Sequence, residues 1–288
     1  MLNIKRILLP VDLPIASLDV IHQAAILAHH FKSEIIMLHV VTAQSHDAGV
    51  PKDSRAWASW DLLAEIMQEA RSQGDLTIGP ALEGLRIRHT LAEGNVAVVI
   101  VDTAEEEEVD LIMMPSYSQA FYEFLMGSVT AKVLHGTERP VWTGAHVQGS
   151  SGQKFAIHNV LGAVEFGPRA DVTVSWAAQM AAEFGARLTL ANVTASVEFW
   201  GPGGGYVNEK LKEELVSDAS EQMSKLQRDT GVKADVFIGS GEVPKVLSQA
   251  AKQTSADLLV TGCYPYGSHL ATHGYGIICA VQIPVLSV

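Results

Sequence analysis

KRILLPVD, at residues 5–12, returns later in the chain as HNVLGAVE, at residues 158–165. The first of these segments is a continuous apolar run that ends at an acidic residue, which is typical of a strand buried on both faces. The similarity continues in two ungapped alignments, of residues 5–41 with 158–194 and of 90–129 with 237–276. A repeat of this length predicts two copies of one domain, because the units of a solenoid span only ~20–50 residues.

The repeat also predicts where the domains begin and end. The chain has 288 residues, enough for two domains that each bury a sizeable core. We expect one domain at residues 1–147 and a second at residues 154–288. The segment between them, residues 148–153, is short and polar and is predicted to be the linker.

Composition excludes several classes of function. A net charge of −12 opposes binding to nucleic acid or to an anionic membrane, because contacts with phosphate groups need clustered Lys and Arg. No stretch approaches the ~20 apolar residues of a membrane span, and no cleavable signal peptide is readable. The only cysteines are Cys263 and Cys279, so no disulfide framework is expected and a reducing cytoplasm is the predicted location.

Strand and helix patterns alternate along each copy. In the first copy the strand Ile7–Val11 precedes an amphipathic helix at residues 17–32, and Glu34–Val41 is the next strand. The second copy repeats this order, with a helix at residues 170–184. Such alternation predicts an α/β fold in which a mainly parallel sheet is covered on both faces and doubly wound through right-handed crossovers.

A ligand site in this kind of sheet lies outside the carboxyl ends of the strands, where the strand order reverses. In the first copy three loops meet there: those that begin at Asp12, after Val41 and at Pro115. We therefore expect the functional residues of each copy in these loops.

The chain resembles the universal stress protein family in its tandem form. The resemblance rests on the order and spacing of short motifs over nearly the whole chain. In the first copy these are Pro10-Val11-Asp12, His39-Val40-Val41, Gly94, Asp110–Met114, Gly127-Ser128-Val129 and Arg139-Pro140-Val141; in the second they are Gly241, Asp257–Gly262 and Ile283-Pro284-Val285. The family implies two flavodoxin-like, Rossmann-like domains in tandem.

In one branch the family also implies ATP binding, through the motif G-x2-G-x9-G-[ST] after the fourth strand. Glycines let the backbone approach the phosphates closely, and their amides form an anion nest. The Gly-Ser step begins a helix whose amino end favours phosphate. By the same resemblance, the acid after the first strand lies near the adenosine and a valine of the second strand packs on the base.

The first copy keeps part of this motif. Asp12, Val40, Gly127 and Ser128 are present, but Pro115 stands for the first glycine and so lacks an N–H. Hydroxyl groups follow at Ser116 and Ser118, the latter in place of the second glycine. We expect this copy to bind ATP or AMP weakly at best, through the following residues: Asp12, Val40, Ser116, Ser118, Gly127 and Ser128.

The second copy departs further. The residues at its corresponding positions are Glu165, Val193, Gly262 and Gly274. Pro265 replaces the second glycine, and Tyr275 takes the position of the helix-starting serine, so its ring could fill the phosphate space. The second site is therefore predicted to be degenerate.

Two alternatives to weak nucleotide binding stay open. The chain could be a regulatory protein of the same fold that binds a partner and no nucleotide, or a slow ATPase. The sequence contains no catalytic constellation, and family membership by itself does not supply a function. The two copies are expected to form an intramolecular pseudo-dimer that meets at its last strands, and further homodimerisation is plausible.

Two Gly-rich segments of the second copy have their own predictions. Composition predicts a mobile loop at Gly201–Gly205. His269 and His273 have the spacing of zinc ligands on a helix, but we expect neither a helix in so Gly-rich a stretch nor a metal site.

Overall fold

The structure is a computed structural model. It describes residues 2–11, 18–42, 62–72, 77–115, 128–144, 155–195, 198–201, 204–207, 209–262 and 269–288. The chain divides into two compact units, Asn3–Phe155 and Ala156–Val288, and Leu2 belongs to the second. We call these units the first and second domains.

The first domain is a parallel sheet with helices. Its described elements are β1 (Arg6–Pro10), α1 (Leu18–Phe31), β2 (Glu34–Val41), α2 (Leu62–Ser72), α3 (Ile78–Leu82), β3 (Arg86–Glu93), α4 (Val96–Glu106), β4 (Leu111–Pro115), α5 (Ser128–Gly136) and β5 (Val141–Gly144). The strand order is β5-β4-β1-β2-β3, and every pair is parallel. The strands β1, β2 and β4 are buried almost throughout, as the apolar runs predict.

The second domain repeats this arrangement. Its described elements are β6 (Asn159–Ala163), α6 (Ala170–Phe184), β7 (Arg187–Thr194), β8 (Glu198–Gly201), β9 (Gly204–Val207), α7 (Glu209–Thr230), β10 (Asp235–Ser240), α8 (Val243–Gln253), β11 (Leu258–Thr261), α9 (His269–Ala280) and β12 (Val285–Ser287). The parallel order β10-β7-β6-β11-β12 corresponds strand by strand to that of the first domain. The predicted α/β fold with two doubly wound parallel-sheet domains is confirmed.

The two domains share details of hydrogen bonding as well as topology. Oδ2 of Asp110 accepts hydrogen bonds from the backbone N–H groups of Lys5 and Arg6, at 2.7 and 2.9 Å. Asp257 makes the same pair of bonds to the start of β6, at 2.8 and 2.9 Å. These carboxylates satisfy backbone donors at the amino end of each sheet, so the opposite end is left for the ligand site.

Two local predictions for the second domain are wrong. Gly201, Gly204 and Gly205 of the Gly-rich segment lie in strands rather than in a loop, because β8 and β9 pair antiparallel and their backbone groups bond to each other. The stretch that contains His269 is helical in spite of its glycines. Helix propensity is a weak prior that tertiary packing overrides, and Ile277 of α9 is fully buried.

The acidic run at residues 105–108 is held by arginines from other parts of the first domain. The pairs are Glu105 with Arg139, Glu107 with Arg88, and Glu108 with Arg6. Arg88 makes a two-pronged contact to Glu107, at 2.7 and 2.8 Å. Its hydrogen bonds lower the pKa of the Glu107 carboxyl, and those from Arg139 likewise lower the pKa of Glu105.

These pairs predict an acid-sensitive contribution to stability. A carboxyl whose pKa is lower in the folded chain stabilises the fold above its unfolded pKa of about 4.3, and this stabilisation is lost as the pH falls through the folded value. We expect Glu107→Gln to lower the free energy of unfolding at neutral pH, measured by urea titration, by less than about 1 kcal/mol because the pair is partly exposed. Variant and wild type should converge in strong acid. Glu106→Gln, in the same run, is the matched control, and an equal loss for Glu107→Gln at both pH values would contradict the account.

Candidate functional site

The strand order places a switch point in each domain. In the first domain the chain runs outward from β1 through β2 to β3 and then returns to β4, on the other side of β1. The second domain reverses in the same way between β6 and β11. Loops diverge at such a point, which opens a crevice at the carboxyl ends of the strands. The predicted site residues follow or end these strands.

A buried polar side chain fixes the end of the first strand in each domain. The backbone N–H of Val11 continues the ladder to Leu38, at 2.8 Å, and its carbonyl accepts a bond from Nδ1 of His39, at 2.9 Å. In the second domain Nδ2 of Asn192 donates to the carbonyl of Val164, at 2.8 Å. His39 and Asn192 occupy matching positions, so both domains hold the residue that precedes the predicted acid of the site.

A glycine makes the turn after the third strand in each domain. Gly94 has a φ of 146° and Gly241 a φ of 134°, a conformation that side chains rarely adopt. The N–H of Gly94 donates to the carbonyl of Val41 at 3.1 Å, and that of Gly241 to Thr194 at 3.2 Å. These bonds tie the third strand to the end of the second, beside the crevice.

In the first domain the structure describes part of the predicted set. Val40 is 9% exposed, near the end of β2, and Pro115 is the last residue of β4. Ser128 is the first residue of α5. Because β4 and β5 are parallel, the helix between them starts at the carboxyl end of the sheet. Asp12, Ser116, Ser118 and Gly127 lie outside the described residues.

In the second domain the predicted residues are all described. Glu165 follows β6, Val193 lies in β7 and Gly262 directly follows β11. Gly274 lies inside α9, which begins at His269. Gly274 matches Gly127 in the family motif, so this position of the motif lies within a helix in the second domain.

Ala163 and Thr261 share one face of the second sheet, at the end where Glu165 follows β6. A side chain at Gly162 would come within 3.1 Å of Cβ of Ala177 in α6, so Gly162 faces α6. The next residue, Ala163, therefore points to the other face, and it pairs in register with Thr261. Glu165 lies two residues beyond Ala163, the last residue of β6.

Val193 also lies on this face. It is two residues beyond Ala191, which pairs in register with Ala163. Its own partner in β10 is Gly239, and a side chain at Gly239 would clash with Val246 of α8. The face is thus the one that α8 covers, and the sheet end between β6, β7 and β11 is the second crevice.

Three buried polar atoms at this end of the second domain lack hydrogen-bond partners within the part of the chain that the structure describes. They are Oε2 of Glu165, Nε of Arg169 and Oγ1 of Thr261. Sequence reasoning found Glu165 but missed the other two. A comparison of the copies could have found them, because Thr261 corresponds to Met114 and Arg169 to Ala16.

The described residues offer little for metal chemistry or membrane insertion. Among them, no group of three or more His, Cys, Asp or Glu side chains could hold a metal ion. None of the helices in the described ranges is long and apolar enough to cross a membrane. Cys279 is exposed and free.

Two similar parallel α/β domains in one chain, each with a switch point in its strand order, define a tandem doubly wound α/β protein. The model of the universal stress protein family matches residues 3–143 and again residues 156–267. The chain therefore belongs to the universal stress protein family, as the resemblance implies.

Individual relatives agree with this assignment. A universal stress protein of Methanocaldococcus jannaschii is 30% identical over 140 residues, which are 48% of this chain and 79% of the relative. A solved universal stress protein from Archaeoglobus fulgidus has a TM-score of 0.63 at 21% identity, over 99% of this chain and 96% of that one. A functionally unknown protein from Pseudomonas aeruginosa has a TM-score of 0.68 at 15% identity, covering 99% and 92%. Both structures share the fold across the whole chain.

Proposed function

We propose that this chain is a stress-response binding module of the cytoplasm whose first domain binds an adenine nucleotide weakly. The observation that carries the proposal is the switch point of the first sheet, where Val40 lies near the end of β2 and the chain passes from β4 to α5, the helix that contains Ser128. Backbone N–H groups at the amino end of a helix favour phosphate. Asp12 and Gly127 complete the set by their match to the family motif.

The binding is weak because the phosphate cradle is incomplete. Pro115 ends β4 and has no N–H to donate, and Ser118 has a side chain where the family has its second glycine. Each N–H that is lost from a charged hydrogen bond removes about 1.5–3 kcal/mol. Adenosine contacts at Asp12 and Val40 then supply most of the affinity.

Calorimetric titration of the full chain with ATP and with AMP tests the proposal. We expect heat from both nucleotides at near-millimolar concentration, and its loss in Asp12→Ala. Lys210→Gln, on the exposed start of α7 in the second domain, is the control and should bind normally. Absence of heat with both nucleotides would remove the proposal and favour a partner-binding protein.

The second domain favours that partner-binding alternative, because Pro265 and Tyr275 replace the second glycine and the serine of the family motif. A slow ATPase is the other alternative. If ATP turnover is detected and is unchanged by Asp12→Ala and Gly127→Val, a contaminating enzyme is responsible for it.

A further inference from the structure

We propose that the crevice of the second domain binds a small zwitterion of the free amino acid class, through Glu165, Arg169 and Thr261. The site is separate from the nucleotide site proposed for the first domain. Its three polar groups come from two neighbouring segments, the connection from β6 to α6 and the end of β11.

Burial without partners is the first observation. Oε2 of Glu165 and Nε of Arg169 are buried, and neither has a hydrogen-bond partner within the described residues. Thr261 is 2% exposed, and its hydroxyl is likewise unpartnered there. A buried polar atom without a partner destabilises a fold by about 1–3 kcal/mol, and by more when it is charged. Three such atoms at one sheet end indicate groups that a bound molecule completes.

The second observation is the opposite charge of two side chains in one short loop. Glu165 and Arg169 are four residues apart, and Oε2 of the first and Nε of the second each lack a hydrogen-bond partner among the described residues. A molecule that satisfies both must present a donor to the carboxylate and an acceptor to the guanidinium. An ammonium group and a carboxylate do this and also neutralise both charges, which an uncharged amide does not.

The same residues disfavour phosphate. A phosphoryl group beside Arg169 would share the crevice with the Glu165 carboxylate, and like charges repel at close range. A guanidinium matches a planar carboxylate well, and the Thr261 hydroxyl can donate or accept one further bond.

The first test is thermal denaturation of the full chain in the presence of each of the twenty proteinogenic amino acids at near-millimolar concentration. At least one should raise the unfolding midpoint, because a ligand that binds only the folded state stabilises it. For that amino acid, calorimetry should give an affinity at least about tenfold higher than for its amide or its deaminated analogue. No shift with any of the twenty would overturn the proposal.

Variants separate the binding role from a structural one. Glu165→Gln and Thr261→Val keep the side-chain size, and each should weaken amino acid binding, Glu165→Gln by about tenfold or more. Without ligand, Glu165→Gln should raise the unfolding midpoint, since it removes the negative charge from a side chain whose buried Oε2 has no partner among the described residues. Glu221→Gln, on the exposed face of α7, makes the same chemical change and should alter neither quantity.

Two results would contradict the proposal. One is unchanged amino acid affinity in Glu165→Gln. The other is a high-resolution crystal structure, grown with the amino acid, in which ordered water alone bridges Glu165 and Arg169. ATP titration of Glu165→Gln distinguishes the two sites, because this variant should still give the heat of nucleotide binding. If the wild-type chain gives no heat with ATP or AMP, the nucleotide proposal is removed and the amino acid proposal is unaffected.

Discussion

Replacing Trp142 with alanine is expected to destabilise the first domain by about 3–5 kcal/mol. Trp142 of β5 is 0% exposed, and its Nε1 donates to Oε1 of Gln23 in α1, at 2.8 Å. Its ring also meets that of Phe155 edge-on, with centroids 6.1 Å apart. Truncation therefore leaves both a cavity and an unpaired amide oxygen. Urea unfolding, with hydrogen exchange to assign the loss to α1 and β5, measures the effect.

A pair of milder variants divides that effect into packing and hydrogen bonding. Trp142→Phe should destabilise the first domain less than Trp142→Ala does. It still leaves Oε1 of Gln23 unpaired, and this unpaired oxygen should destabilise the domain by about 1–3 kcal/mol. Adding Gln23→Leu should recover part of the loss, since the second domain has the apolar pair Trp176 and Leu286 at the matching positions. If the double variant is no more stable than Trp142→Phe, the hydrogen bond does not have the role assigned to it.

The second large effect is expected at the glycine turns beside the crevices. Valine at Gly94 should destabilise the first domain by about 1–3 kcal/mol from the backbone alone, since its φ of 146° suits glycine almost exclusively. The added Cβ would also lie 3.2 Å from Cγ2 of Val99. Gly241→Val should act in the same way on the second domain, with slightly more space at 3.5 Å from Val246.

Gly84→Ala is the matched control for these turns. Gly84 also has a positive φ, of 77°, but a Cβ there would meet nothing within 4 Å. Gly84→Ala should lower the free energy of unfolding by about 1 kcal/mol, the ordinary penalty for a side chain in the left-handed region. Urea midpoints give the comparison, and a loss at Gly94 no greater than at Gly84 would show that the turn tolerates side chains.

Local patterns predicted most of the fold. The strand at Glu34–Val41 and the helix at residues 170–184 lie where the sequence predicts them. A buried strand is a short apolar run and an amphipathic helix repeats its apolar residues every three or four positions, so both can be detected from neighbouring residues. The short helix Ile78–Leu82 was not predicted. With Pro80 and Gly79 in its five residues, it has no helical period to detect.

Contacts between distant segments limited the prediction of the site. The ion pairs of the acidic run depend on Arg88 and Arg139, which are far from it in sequence, so the run reads only as a solvated helix end. Thr261 ends an apolar strand, and its sequence position does not reveal that it lies beside Ala163, two residues before Glu165. That fact comes from the register of β6 with β11. The sequence predicted the loops of the crevice but not the polar atoms at this end of the sheet that lack partners among the described residues.

The ratio of ATP affinity to AMP affinity tests the central claim most directly, namely that the first crevice keeps its adenosine contacts and has lost its phosphate cradle. We expect ATP and AMP to bind the wild-type chain within about tenfold of each other, a difference below about 1.4 kcal/mol. The double variant Pro115→Gly and Ser118→Gly should raise ATP affinity about tenfold or more and leave AMP affinity almost unchanged. Wild-type binding of ATP a hundredfold or more tighter than that of AMP would contradict the account.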